Sequence, residues 1–215
     1  MSIKTEVKLL LDAKEFEKIA DLAEQEGRVV RYLLSFLYST DDLLHWRAAE
    51  ALGVVASRQG QCASGADGQR NIPRRLVWSL AEESGATAWP APEGLGAVVA
   101  KQPNSLPDFG RIVLSFIEDP ILRRGVLWSA RKIAEKRPDL VQDSVPAIIK
   151  LLDDPDATTR GHAAWALGAM GDPNTIKKLR ALQQDAGPLF IYDEGELQST
   201  TVGKLATRSL AELKR

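Results

Sequence analysis

The chain carries two histidines, His45 and His162, a single cysteine, Cys62, and five tryptophans, and these are the side chains whose chemistry reaches beyond packing. A metal centre needs three or four imidazole, thiolate or carboxylate ligands brought together. His45 and His162 are far apart in sequence and no His-Glu dipeptide occurs, so such a centre would rest on carboxylates such as Glu50 and Glu93. The same two glutamates are the nearest approach to a general acid and base, with nothing in the sequence to raise the pKa of either. Both read as a solvated acidic edge, and neither metal nor cofactor is expected. Cys62 falls in Gln59–Asn71, a stretch rich in Gly, Gln and Ser with no histidine close by. It reads as a loop thiol rather than a nucleophile, and a lone cysteine makes no internal disulfide.

What remains is a set of aromatic and charged residues that recur in phase. A small residue, three others, an aliphatic residue and a second small residue return five times: Ala48…Leu52-Gly53, Ala91…Leu95-Gly96, Ser129…Ile133-Ala134, Ala163…Leu167-Gly168 and Ala206…Leu210-Ala211. The aliphatic anchors lie 43, 38, 34 and 43 residues apart, close to the periods of helical-pair repeats. On a helix, the positions four before and one after an anchor flank it on the buried side, where small residues let neighbouring helices approach. The opposite face takes the positions five and two before the anchor and two after it. In order these are Arg47/Glu50/Val54, Pro90/Glu93/Ala97, Trp128/Arg131/Glu135, His162/Trp165/Ala169 and Leu205/Arg208/Glu212.

Stacked second helices turn such faces toward an inner, concave surface. The stripe supplies the candidate partner-binding residues Arg47, Glu50, Glu93, Trp128, Arg131, His162, Trp165 and Arg208. Aromatic rings flanked by guanidinium groups have the make-up of a binding hot spot. The competing reading is that the solenoid curls tightly and the tryptophans pack as core. Trp46 and Trp89, six before their anchors, read as core in either case.

The elements that position these faces follow from periodicity. Apolar stripes predict first helices over Val29–Tyr38, Pro73–Leu80, Phe109–Ile117, Val145–Leu152 and Pro173–Leu182. Acids follow the first four: Asp41-Asp42, Glu82-Glu83, Glu118-Asp119, and Asp153-Asp154 with Asp156. They read as caps at the start of each second helix, where free N–H groups and the dipole favour negative charge. Ile3–Gln25 has helical periodicity without the full pattern, the mark of a terminal cap of one or two helices. Residues 1–27 are therefore assigned to the cap and 28–215 to the repeats, a single domain overall. Regularity breaks at Gln59–Asn71, at Trp89-Pro90-Ala91-Pro92 and at Gly187–Gly195, and the two prolines place a helix start near Trp89.

Bulk composition narrows the partners. At 44% hydrophobic and 27% charged residues the chain has ordinary globular composition, and a formal charge of −1 offers no global field for nucleic acid or anionic membrane. Basic residues at Arg70, Arg74 and Arg75, from Arg123 to Arg137, and from Lys177 to Arg180 are interleaved with nearly equal acid, which reads as solvated surface. The start Met1-Ser2-Ile3-Lys4-Thr5-Glu6 puts acid where a signal peptide would carry only base, and no apolar run reaches membrane-spanning length. A cytoplasmic protein with no membrane partner is expected.

The run Arg160-Gly161-His162-Ala163-Ala164-Trp165-Ala166-Leu167-Gly168, followed by Gly171-Asp172-Pro173, resembles HEAT-like repeat proteins of the phycobilisome-lyase type. The ending Ile191-Tyr192-Asp193-Glu194-Gly195-Glu196-Leu197…Thr201-Val202-Gly203-Lys204-Leu205-Ala206 is similar to the terminal unit of such chains. The resemblance covers about residues 28–215 and implies an all-α fold, an α-α superhelix of the HEAT/armadillo kind with about five helical pairs and an N-terminal helical cap. The repeat serves mostly for binding, so the expected function is a non-enzymatic module holding another protein on its concave face, as a scaffold or maturation factor. Two alternatives accompany it: a bilin-lyase-like subunit, and a helical-repeat DNA glycosylase gripping phosphates.

Overall fold

Periodicity and capping translate directly into helices. The structure, a computed structural model, describes residues 1–62, 71–81 and 90–213. Two helices, α1 (Ile3–Asp12) and α2 (Phe16–Gln25), precede the repeats, and Ser2 caps the first by accepting from the Thr5 amide. The pairs follow: α3 (Arg28–Phe36) with α4 (Asp42–Cys62), α5 (Asn71–Ala81) with α6 (Ala91–Lys101), and α7 (Pro107–Leu114) with α8 (Arg123–Ala134). The fourth joins α9 (Val145–Lys150) to α10 (Ala157–Met170), and the fifth joins α11 (Ile176–Ala181) to α12 (Val202–Glu212). This is the expected all-α superhelix. Cys62 closes α4 at the edge of the described stretch, and Glu82-Glu83 and Trp89 lie outside the described residues.

The acids cap as their chemistry dictates. Asp41 Oδ1 accepts from the Leu44 amide at 3.2 Å, and Asp156 Oδ2 accepts from the Thr159 amide at 2.8 Å. Asp119 instead tightens the turn before α8 by accepting from the Ile121 amide at 2.8 Å.

Small residues then set the stacking. Second helices lie in one row, α4 on α6, α6 on α8, α8 on α10 and α10 on α12. Gly96 of α6 leaves the space that Ser129 of α8 occupies, and Gly168 of α10 does so for Ser209 of α12, where an added Cβ would stand 2.6 Å from the serine Cβ. Each serine uses the closeness: Ser129 Oγ donates to Pro92 O and Ser209 Oγ donates to Ala164 O, both at 2.8 Å. The anchors Leu52, Leu95, Ile133 and Leu167 are wholly buried, and Leu210 nearly so, in one continuous core shared with the first helices.

One element departs from the helical plan. Between α11 and α12 the chain forms an antiparallel hairpin, β1 (Pro188–Asp193) and β2 (Glu196–Thr201), in register from Pro188↔Thr201 to Asp193↔Glu196. Its two-residue turn, Glu194-Gly195, has φ of 52° and 79°, the left-handed pair that matches strand twist. The base is tied by Val202 N–H donating to Gly187 O and Gly203 N–H to Asp185 O. Gly187–Gly195 reads from sequence only as a break in regularity. The β-prone run Leu189-Phe190-Ile191-Tyr192 before a Glu-Gly turn was the signal for a hairpin.

Candidate functional site

Leu189, Ile191 and Tyr192 of β1 are apolar and must be covered, and the row of second helices covers them. Together with Trp46, Ala97, Trp128, Trp165, Val202 and Leu205 they form a second core on the inner side of the row. Tyr192 stacks on Trp46 at 5.5 Å with planes 12° apart, and Trp128 leans on both rings. Trp128 Nε1 donates to the Tyr192 carbonyl at 2.9 Å. Leu189 lies in the space left by Gly161 of α10. The hairpin thus crosses the inner face from α10 toward α4.

Polar groups complete the seat. The Tyr192 hydroxyl donates to Glu50 Oε2 at 2.5 Å. Burial, followed by the Glu50 charge and hydrogen bond, pushes that phenol well above its ordinary pKa, so it stays a donor. Arg47 donates from Nε to Gly195 O at 2.9 Å and from Nη1 to Asp12 O at 3.0 Å, which joins the hairpin turn to the end of α1. Asp193 is held by Lys132 Nζ at 2.8 Å and by Arg208 at 3.2 Å. Burial works to raise its pKa, but Lys132 and Arg208 outweigh it and hold the carboxyl below the usual range. Arg131 grips Glu212 with both Nη atoms, reaches Glu135 from Nε, and lies with Lys132 and Arg208 around the Trp165 ring.

The eight candidate residues therefore meet different fates. Trp128, Trp165, His162, Arg131, Arg47 and Glu93 are buried, so the tryptophans pack as core and the inner face is not the open stripe that phase alone suggested. Glu93 faces His45, Oε1 to Nε2 at 3.7 Å, at the start of α6. His162 donates from Nδ1 to Thr158 O at 2.8 Å and, fully buried, meets the Trp165 ring edge-on. Only Glu50 and Arg208 keep appreciable exposure. Sequence reasoning missed Tyr192 and Asp193, the residues that fill the face, and Lys132, one before its anchor and so outside the chosen phase.

Beside the hairpin a stretch of the inner face stays open. It is a cavity of about 160 Å³ with a floor of Ala97, Ala100 and Trp128 and walls of Glu50, Lys101, Lys132, Glu135 and Lys136. Glu50, Ala97, Trp128 and Glu135 are all positions of the inner stripe deduced from phase. Elsewhere many basic side chains are committed to acid: Arg123 to Asp154, Arg124 to Asp42, Arg137 to Asp139 and Lys178 to Asp153. Among the described residues no group of three His, Cys, Asp or Glu side chains is placed to hold a metal ion, and no helix is long and apolar enough to cross a membrane.

Comparison with known proteins agrees with this architecture. Residues 110–190 match the model of the HEAT repeats family. The chain is 28% identical over 179 residues to an uncharacterized protein of Archaeoglobus fulgidus, an alignment spanning 80% of this chain and 91% of that protein. Among solved structures, an engineered protein superposes with TM-score 0.55 at 18% identity, covering 100% of this chain and 99% of its own. A computationally designed armadillo repeat protein for modular peptide recognition superposes with TM-score 0.53 at 17% identity, covering 98% and 92%. Residues 110–190 are thus similar to HEAT repeats, and the whole chain shares the superhelical path of armadillo-like solenoids.

Proposed function

We propose that this protein is a non-enzymatic scaffold that binds a partner protein in the open groove beside its hairpin. One observation carries the reading. The inner face keeps a concave, mixed-charge stretch with an apolar floor of Ala97, Ala100 and Trp128, beside the part where the chain's own strand packs on Trp46, Trp128 and Trp165. The designed armadillo neighbour, made for modular peptide recognition, supports the reading, as does the extended segment of this chain that packs across its own second helices. The groove's volume, about 160 Å³, suits a few peptide side chains. It falls below the roughly 300–1,000 Å³ of small-molecule sites, which weighs against the bilin of a phycobilisome-lyase-like subunit. The paired arginines likewise weigh against a glycosylase grip on phosphates. Cytoplasmic residence belongs to the same reading.

Photo-cross-linking tests it. A photoreactive residue at Ala100, half-buried in the groove, should capture the partner recovered from source cells, whereas one at Ala147, on the outer side between first helices, should not. Capture from Ala147 without capture from Ala100 refutes the groove as the seat.

A further inference from the structure

The wall of the groove displays how it holds a carboxylate. Asp193, on an extended strand, is taken by Lys132 of α8 together with Arg208 of α12. Lys136 stands in the turn just past the end of α8, four residues beyond Lys132, and lines the groove. Lys101 ends α6 and lines the same cavity. The other charged groups of the lining are engaged: Glu50 by Tyr192, Glu135 by Arg131, and Lys132 by Asp193. Lys101 and Lys136 are exposed, and neither has a carboxylate within ion-pair distance among the described residues. Their charge is what the groove has left to offer.

We propose that the groove takes an extended, acidic segment of the partner protein, with a carboxylate on Lys101 and Lys136 and an apolar side chain against Ala97 and Ala100. The segment lies beside the hairpin and repeats, just past the end of α8, the capture that Asp193 makes on Lys132. This inference rests on the groove being the partner's seat, and it adds the chemistry of what sits there. Lysines at helix ends also complement the negative end of the dipole, a role that a bound carboxylate leaves intact.

Fluorescence anisotropy decides it with a labelled, end-blocked octapeptide of alternating Glu and Leu, compared with the same peptide carrying Lys in place of Glu. The acidic peptide should bind with an affinity that falls as salt rises, and the basic one should not bind. The double variant Lys101→Glu with Lys136→Glu should weaken the acidic peptide about tenfold. Both lysines are exposed, so the melting midpoint should hold. Lys150→Glu on α9 should leave binding unchanged. Absence of binding, equal binding of both peptides, or indifference to the double reversal overturns the inference. Cross-linking of the native partner from Ala100 judges the seat separately, so an acidic preference that fails at an occupied groove is told apart from a groove that is never occupied.

Discussion

Burial decides the chemistry of individual residues more than their identity does. His162 and His45 illustrate it in opposite directions. His162 is fully enclosed, and burial, aided by the Arg124 charge, pushes its pKa down to about 4 even though the Thr158 carbonyl pulls the other way. For His45 burial is again the largest single influence and acts downward, yet Glu93, the Leu37 carbonyl and Asp42 together outweigh it and leave the pKa raised. The linkage signs differ accordingly. A depressed histidine pKa means the unfolded chain binds more protons between pH 4 and its own value near 6.5, so stability falls as pH falls through that window, by about 3 kcal/mol in total for His162. Whatever His45 contributes is present below its unfolded value and is lost only at higher pH, outside that window. Denaturant midpoints taken across pH 4.5 to 6.5 should rise with pH in the wild type and flatten in His162→Gln, and an equal slope in both contradicts the buried neutral imidazole.

At the scale of elements, the small residues around each anchor do what helix geometry requires of them. Ala163 is wholly buried beside Leu167 in α10, between α8 and α12. Ala163→Leu should therefore lower stability by about 1–3 kcal/mol through overpacking, and an unchanged melting midpoint would speak against this stacking. Anchors, caps and first helices were legible because each is a local consequence of spacing: Leu95 needs Gly96, and Asp156 needs a free amide two or three residues on. The inner face was legible in phase but not in state. Which helix faces point inward is a property of one helix; whether anything lies on them depends on a segment some sixty residues or more away in sequence, as Tyr192 is from Trp128. Tyr192 and Asp193 looked like part of a terminal repeat, and only tertiary packing turns them into the covering of Trp46, Trp128 and Lys132.

Across the whole molecule, the hairpin inserted in the fifth pair reaches the first pair and the helices before it. Arg47 receives its turn, and Lys14 pairs with Glu196 at 2.7 Å. A solenoid whose units touch only their neighbours flexes along its length; here a strand-borne strap links units that the repeat itself keeps apart, and it divides the inner surface into a filled part and an open groove. The account holds that function lives in that open part. Its most direct measurement is the affinity of the native partner for Ala100→Trp, which fills the half-buried groove floor, beside Ala147→Trp on the outer side. The account predicts that Ala100→Trp lowers affinity about tenfold or more at an unchanged melting midpoint while Ala147→Trp has no effect. Full affinity in a folded Ala100→Trp protein would contradict it.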